Sequence, residues 1–127
     1  MLVEIDTSSA QPLGEQIAAA VRRAMAAGSL RVGERLPSAR DLGLSLGVSL
    51  HTVLRGYQIL QAEGLIELRR GRGAVVVAPA PQDRASVVEQ TRRLVFAARR
   101  IGMPDDETLA LVSACMGRGE GPGESRK

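Results

Sequence analysis

The 127-residue sequence has no tryptophan, one tyrosine, one phenylalanine, one cysteine and one histidine. Each shortage excludes something. With only two aromatic residues the core has to be built from Leu, Val, Ile and Ala, and a chain of this size then has little stability to spare. Association between copies would help it. A single cysteine, Cys115, excludes an intramolecular disulfide and a Cys-based metal cluster. With Val112 and Met116 as neighbours, it is expected as a buried small apolar residue. A single histidine, His51, has no second imidazole with which to share a metal. No Ser–His–Asp set, metal-ligand cluster or phosphate loop stands out, so neither an enzyme nor a bound cofactor is expected. Signal-peptide features and apolar runs of membrane-spanning length are also missing, so a cytoplasmic protein with no membrane partner is expected.

The composition that remains is 44% hydrophobic and 24% charged, a globular balance. Seventeen cations stand against 14 acids, for a net charge of +3. The excess is concentrated. Residues 35–73 hold six arginines (Arg35, Arg40, Arg55, Arg69, Arg70, Arg72) against Asp41, Glu63 and Glu67. Lys127 is the only lysine. Arginine suits forked contacts to phosphate and guanine, although an Ala-, Gly- and Arg-rich chain also fits translation of a high-GC genome.

Punctuation along the chain sets out the elements. Residues 2–5, LVEI, suggest a short strand or an ordered arm. PLGEQIAAAVRRAMAAG reads as a helix with Pro12 in its first position, Glu15 at the positive end and Gly28 as the C-terminal cap. Its apolar stripe is Leu13, Ile17, Ala20, Val21 and Ala24, and Leu30 can fold back over its end. Ser38, three residues before Asp41, starts a short helix that ends at Gly47. Ser49 caps a second helix, from about Leu50 to Glu63, that stops at Gly64. Two short helices around a tight glycine-containing turn are a helix-turn-helix pattern. LIELRRGRGAVVV follows at once as a β-hairpin with a basic tip. A linker at 79–82 leads to a helix from about Asp83 to Ile101, and acids open another after Pro104. Residues 117–127 are Gly-rich, charged and expected to be disordered. The fold class is therefore mainly α with a small β-hairpin. A winged helix-turn-helix over 1–78 precedes a two-helix region over 83–116.

With Val53 turned inward, Gly56, Tyr57 and Leu60 share the buried arc of the second helix, and His51, Arg55 and Gln58 point away from it. Thr52 flanks them near the helix start. Such a helix fits the major groove of DNA, where Arg forks onto guanine, Gln onto adenine, and Thr donates or accepts. Gly43, Gly47 and Val53 have the spacing that lets two helices cross closely around such a turn.

The stretch LPSARDLGLSLGVSLHTVLRGYQILQAEGLIELRRGRGAVVV resembles the DNA-binding domain of the GntR family of bacterial transcriptional regulators. Leu36-Pro37-Ser38-Ala39-Arg40, Leu46-Gly47-Val48, Thr52-Val53, Glu63-Gly64-Leu65-Ile66 and Gly71-Arg72-Gly73 match the family pattern in order, and Pro12-Leu13 with Gln16-Ile17 match its preceding helix. The resemblance covers about residues 9–78. It implies a phosphate contact for Arg40 and phosphate or base-edge contacts for Ser49 and Thr52. It implies a major-groove reach for Arg55, and a wing of Arg70, Gly71, Arg72 and Gly73 against the minor groove. Leu50 stands where many members carry a polar or cationic residue, so it either packs a thymine methyl or leans into the core. Gly56 replaces a usual alanine, which either weakens the helix or permits closer packing.

The 49 residues after Ala78 are too few for the usual ligand-binding domain. They resemble the short dimerisation tail of the YtrA subfamily, with Val87, Thr91, Leu94, Val95, Ala98, Ile101, Leu109, Val112 and Met116 as its contacts. The expected protein is a homodimeric repressor that occludes a promoter by reading an inverted-repeat DNA operator, with room left for an unknown small-molecule effector. The competing reading is a winged-helix module whose outward face meets another protein.

Overall fold

The computed structural model describes residues 3–117. Helix α1 spans Leu13–Ala26, α2 Ala39–Leu46 and α3 Leu50–Ala62. Strands β1 (Ile66–Arg69) and β2 (Gly73–Val76) form an antiparallel hairpin, and α4 (Pro81–Arg100) and α5 (Asp105–Gly117) follow. The fold is mainly α with a two-stranded wing. The chain divides into two compact units, Met1–Glu89 and Gln90–Lys127, so the opening turns of α4 belong to the first unit.

In the first unit, α1 packs along α3, α2 lies against α3, and β1 follows α3 closely. The core is aliphatic, as the lack of aromatics requires. Ile17, Val21, Met25, Val53, Leu60, Leu65, Ile66 and Val76 are fully enclosed, with Tyr57 the one aromatic ring among them. Each short helix is started by a serine. Ser38 Oγ accepts the Asp41 amide at 3.0 Å, and Ser49 Oγ accepts the Thr52 amide at 3.2 Å. Gly47 has φ of 72° between α2 and α3, a left-handed conformation that a side chain would strain. A Cβ on Gly43 would lie 2.9 Å from the Val48 carbonyl oxygen. That glycine therefore makes room for the turn backbone.

Several expectations need adjustment. Residues 3–5 form no strand; Val3 is tucked against the core, and Gln16 anchors the arm by accepting the Asp6 amide and donating to the Asp6 and Gln11 carbonyls. Pro12 is the residue before the first helical one. Helix α4 begins at Pro81, inside the expected 79–82 linker, because proline's fixed φ suits a first helical residue. Cys115 is half-buried. Gly117 closes α5, and the rest of the expected disordered tail lies outside the described residues, as does Leu2.

One further element has no local sign in the sequence. Residues 33–36 pair along β2, with Gly33 donating to the Val76 carbonyl, Val76 to that of Glu34, and Leu36 to that of Ala74, each at 2.8 Å. An Arg35–Val75 bridge makes this a rudimentary third strand. It gives the hairpin a partner on its free edge, without which two strands are barely stable.

Tyr57 locks α3 to the segment before α2, donating its hydroxyl to the Pro37 carbonyl at 2.6 Å. Burial holds this phenol well above its ordinary range. A group whose folded pKa is raised contributes fully below its unfolded value, about 10, and that contribution is lost as pH rises beyond it. Tyr57→Phe should lower stability by about 1–2 kcal/mol at neutral pH, because the Pro37 carbonyl loses its donor. It should also lessen the loss of stability above about pH 10. Urea unfolding at the two pH values checks both.

In the second unit, Gly102 and Met103 close the turn after α4 by donating to the Arg99 and Ala98 carbonyls. Arg99 Nη2 donates to Asp105 Oδ2 at 3.0 Å, and this neighbouring guanidinium holds the Asp105 carboxyl below its usual range. Among the described residues, no helix is long and apolar enough to cross a membrane.

Candidate nucleic-acid interface

Helix α3 has two contrasting faces. Val53, Gly56, Tyr57 and Leu60 are buried, and His51, Arg55 and Gln58 are exposed. The helical period of the sequence dictates this division. Leu50 is 42% exposed, which resolves its two alternatives toward the surface and away from the core. Gly56 is also resolved. A Cβ there would sit 2.9 Å from the Gly14 carbonyl oxygen and 3.0 Å from Ile17 Cγ2, so the glycine permits close approach of α1 and α3.

At the start of α3 the hydroxyls of Ser49 and Thr52 lie 3.0 Å apart and share a hydrogen bond. Two hydroxyl protons and one bond between them leave one proton to donate outward. Beside them, Pro12 and the first α1 residues Leu13 and Gly14 meet His51, Thr52 and Arg55 of α3 around an open recess of about 390 Å³. The start of α1 and the outward face of α3 thus form one surface, which the sequence did not reveal.

The wing is a tight turn in which Arg72 donates to the Arg69 carbonyl at 3.1 Å, with Gly71 at φ of 79°. Such a turn needs glycine there. Register pairs Arg69 with Gly73, leaving Arg70, Gly71 and Arg72 exposed at the tip. On the strand flank, Arg69 bonds Glu67. Gln61 Oε1 accepts the Leu68 amide at 2.7 Å and fixes β1 to the end of α3.

Arginines divide by their partners. Arg22, Arg69 and Arg99 are each paired with acids. Arg40 in the first turn of α2, Arg55 on α3, and Arg70 and Arg72 at the wing tip are exposed and form no ion pair among the described residues. Uncompensated guanidinium groups keep their full charge for an outside anion. The described residues also hold no group of three potential metal-ligating side chains.

Arg22 carries a role that the sequence concealed. It is 1% exposed and pairs with Glu63 at 2.8 Å and Glu89 at 3.0 Å, joining α1, the end of α3 and the first half of α4. Arg84 adds two donations to the Glu63 carbonyl, at 3.2 and 3.1 Å.

The expected dimer contacts divide by exposure. Val87, Thr91, Leu94, Ile101, Leu109 and Met116 are exposed, Val95 and Val112 are half-buried, and Ala98 is buried within its own chain. Val95, Arg99, Asp105, Thr108 and Leu109 line a recess of about 220 Å³ in the second unit.

Comparison with known proteins agrees with this geometry. Residues 13–76 match the model of the gntR family of bacterial regulatory proteins. The chain is 31% identical over 111 residues to the HTH-type transcriptional regulator Rv1152 of Mycobacterium tuberculosis, a match that covers 87% of this chain and 91% of that one. It is 30% identical over 107 residues to the HTH-type transcriptional repressor YtrA of Bacillus subtilis, covering 80% and 82% of the two chains. Among solved structures it superposes on YtrA of Sulfolobus acidocaldarius, a GntR-family transcription factor, with a TM-score of 0.58 and 33% identity over 72% of this chain and 97% of that one. The family match spans every element from α1 to β2, and this chain belongs to the GntR family as a DNA-binding transcriptional regulator built on a winged helix-turn-helix.

Proposed function

We propose that the protein is a homodimeric repressor that reads an inverted-repeat operator and blocks transcription by occupying the promoter. The observation that carries this reading is the outward face of α3, where exposed His51, Arg55 and Gln58 back onto a fully buried Val53–Tyr57–Leu60 seam. A rigid helix with that division can enter a major groove without rearranging its core. Arg55 forks onto a base or phosphate, Gln58 and His51 flank it, and Leu50 meets a thymine methyl. Ser49 and Thr52 offer their remaining proton to a phosphate oxygen, and Arg40 neutralises the backbone beside them. Arg70 and Arg72, held out by Gly71 and Gly73, follow the minor groove. Repression is supported by the likeness to the Bacillus subtilis repressor. Dimerisation is supported by the exposed apolar side chains Leu94, Ile101, Leu109 and Met116. The half-open recess beside Val95 and Leu109 is the place for an effector.

Purified protein and DNA from upstream of its own gene test the reading in a mobility-shift titration with excess competitor at two salt concentrations. The expected result is binding that survives competitor, with footprints on two half-sites one helical turn, about 34 Å, apart. Arg55→Ala should cost about 1–3 kcal/mol at a single base pair. Arg72→Ala should weaken all sequences alike and reduce the salt slope by about 1. Binding that competitor abolishes, together with an Arg55→Ala protein of unchanged affinity and base preference, would assign the outward face to a protein partner.

A further inference from the structure

The first turn of α1 lies against the second turn of α3, and two glycines face each other there. A Cβ built on Gly56 meets the Gly14 carbonyl oxygen at 2.9 Å. A Cβ built on Gly14 meets a different group: Arg55 Cγ at 2.8 Å and Arg55 Cβ at 3.2 Å. The arginine stem therefore crosses the space that a side chain at position 14 would occupy, while the residue as a whole remains exposed.

We infer that Gly14 is a positioning residue for Arg55, setting the direction in which its guanidinium leaves the protein and hence which base or phosphate it reaches. The inference rests on Arg55 being a DNA contact, as proposed above. Its physical basis is the length of the side chain. Arginine has enough rotatable bonds that an unsupported one spreads its fork over many positions. Packing the first two side-chain carbons on the bare backbone of α1 restricts the first torsions and leaves only the outer ones free. Charged heads commonly stay in water while their stems cover apolar or backbone surface. Here the surface covered belongs to a neighbouring helix, so the two helices together aim the group. Any substituent at position 14 is within van der Waals contact of the root of the stem, where the side chain cannot bend away without changing its first torsion. The glycine pair thus has two separate tasks. Gly56 sets how closely α3 approaches α1, and Gly14 leaves the channel through which Arg55 runs.

A double-mutant cycle on the full chain tests this. Gly14→Ala, Arg55→Ala and the double variant are compared for operator affinity, for base preference across a set of singly substituted operators, and for thermal unfolding. Gly14→Ala alone should weaken operator binding about 5- to 20-fold and change preference at the base pair that Arg55→Ala affects. In the Arg55→Ala background it should have less than about a 2-fold further effect. If Gly14→Ala unfolds the protein, Arg55→Ala should restore folding, because the obstructing Cγ is gone. Equal losses in the two backgrounds, unchanged affinity and preference for Gly14→Ala, or failure of Arg55→Ala to rescue folding would overturn the inference. Arg55→Ala alone tests the underlying reading. If that single variant binds normally, Arg55 is no DNA contact, whatever Gly14→Ala does.

Discussion

Replacing Arg22 with alanine is expected to destabilise the protein by about 3 kcal/mol. The guanidinium is 1% exposed and makes three short contacts, at 2.8 and 3.2 Å to Glu63 and at 3.0 Å to Glu89. Removing one partner from a buried ion pair costs about 3–5 kcal/mol. Glu63 and Glu89 retain part of their exposure, so water relieves them somewhat and the lower end, about 3 kcal/mol, applies. For a unit of this size that corresponds to a melting point lower by on the order of 15 °C. The loss should also be specific in place, since Arg22 joins α1 to the end of α3 and the first half of α4. Hydrogen exchange should accelerate most at those three sites. Arg22→Met supplies volume without charge, and by itself it should remain destabilised. Combined with Glu63→Gln and Glu89→Gln it should recover much of the loss, because the two carboxylate charges are then gone from the site. A melting point for Arg22→Ala within a few degrees of the parent would show that the carboxylates find other partners or water, and the node would have no structural weight.

Arg22 also illustrates where sequence reasoning stops. Its neighbours Ile17, Ala20, Val21 and Ala24 announce a buried stripe through their spacing, and all of them turn inward or half inward. Arg22 lies beside that stripe and reads as one more surface charge. Its partners are 41 and 67 residues away, and no local pattern connects them. The third strand was hidden for a related reason. Residues 34–36, between Gly33 and Pro37, are too few to show an alternation, and only pairing with β2 defines them. Local signals fared better. The serine caps, the glycine between α2 and α3 and the basic hairpin tip are each specified within three or four residues, and each is in place. The outward face of α3 was legible because helical periodicity alone separates Arg55 from Val53. How Arg55 is aimed was not legible, since the group that confines it sits 41 positions earlier as a glycine, a residue whose contribution is the absence of a side chain. The sequence could raise two explanations for Gly56, a weakened helix or a close contact. Only the position of the Gly14 carbonyl decides between them.

A variant carrying Ile101→Asp and Leu109→Asp should be monomeric and should lose operator affinity by about 100- to 10,000-fold while keeping its affinity for an isolated half-site. The reasoning begins with α5. Of its 13 residues only Thr108 is buried. Leu109 is 70% exposed, Met116 75% and Leu111 47%, and Ile101 just before it is 75% exposed. A helix of that length is marginal in water by its own hydrogen bonds, and helices in proteins owe most of their stability to burial of an apolar face. The described residues cover little of α5, and the dimer proposed above supplies a second surface for it. Removing one large aliphatic side chain from water is worth about 1.5–3 kcal/mol, and two copies contribute each side chain twice. An aspartate at the centre of such a contact would have to be desolvated without a partner, which reverses the sign of that contribution. In the separated chain the same substitutions face water and change stability by about 0.5 kcal/mol or less, so a folded monomer is the expected product. The consequence for DNA follows from linkage. Two joined reading heads bind the second half-site at a high effective concentration, and separated heads pay for each encounter independently. Sedimentation gives the mass of the variant, and titrations against a full operator and a half-site give the two affinities. A variant that sediments as a dimer and binds the full operator like the parent would place the dimer contact on another surface. A monomeric variant with unchanged operator affinity would instead mean that a single winged helix-turn-helix suffices for recognition.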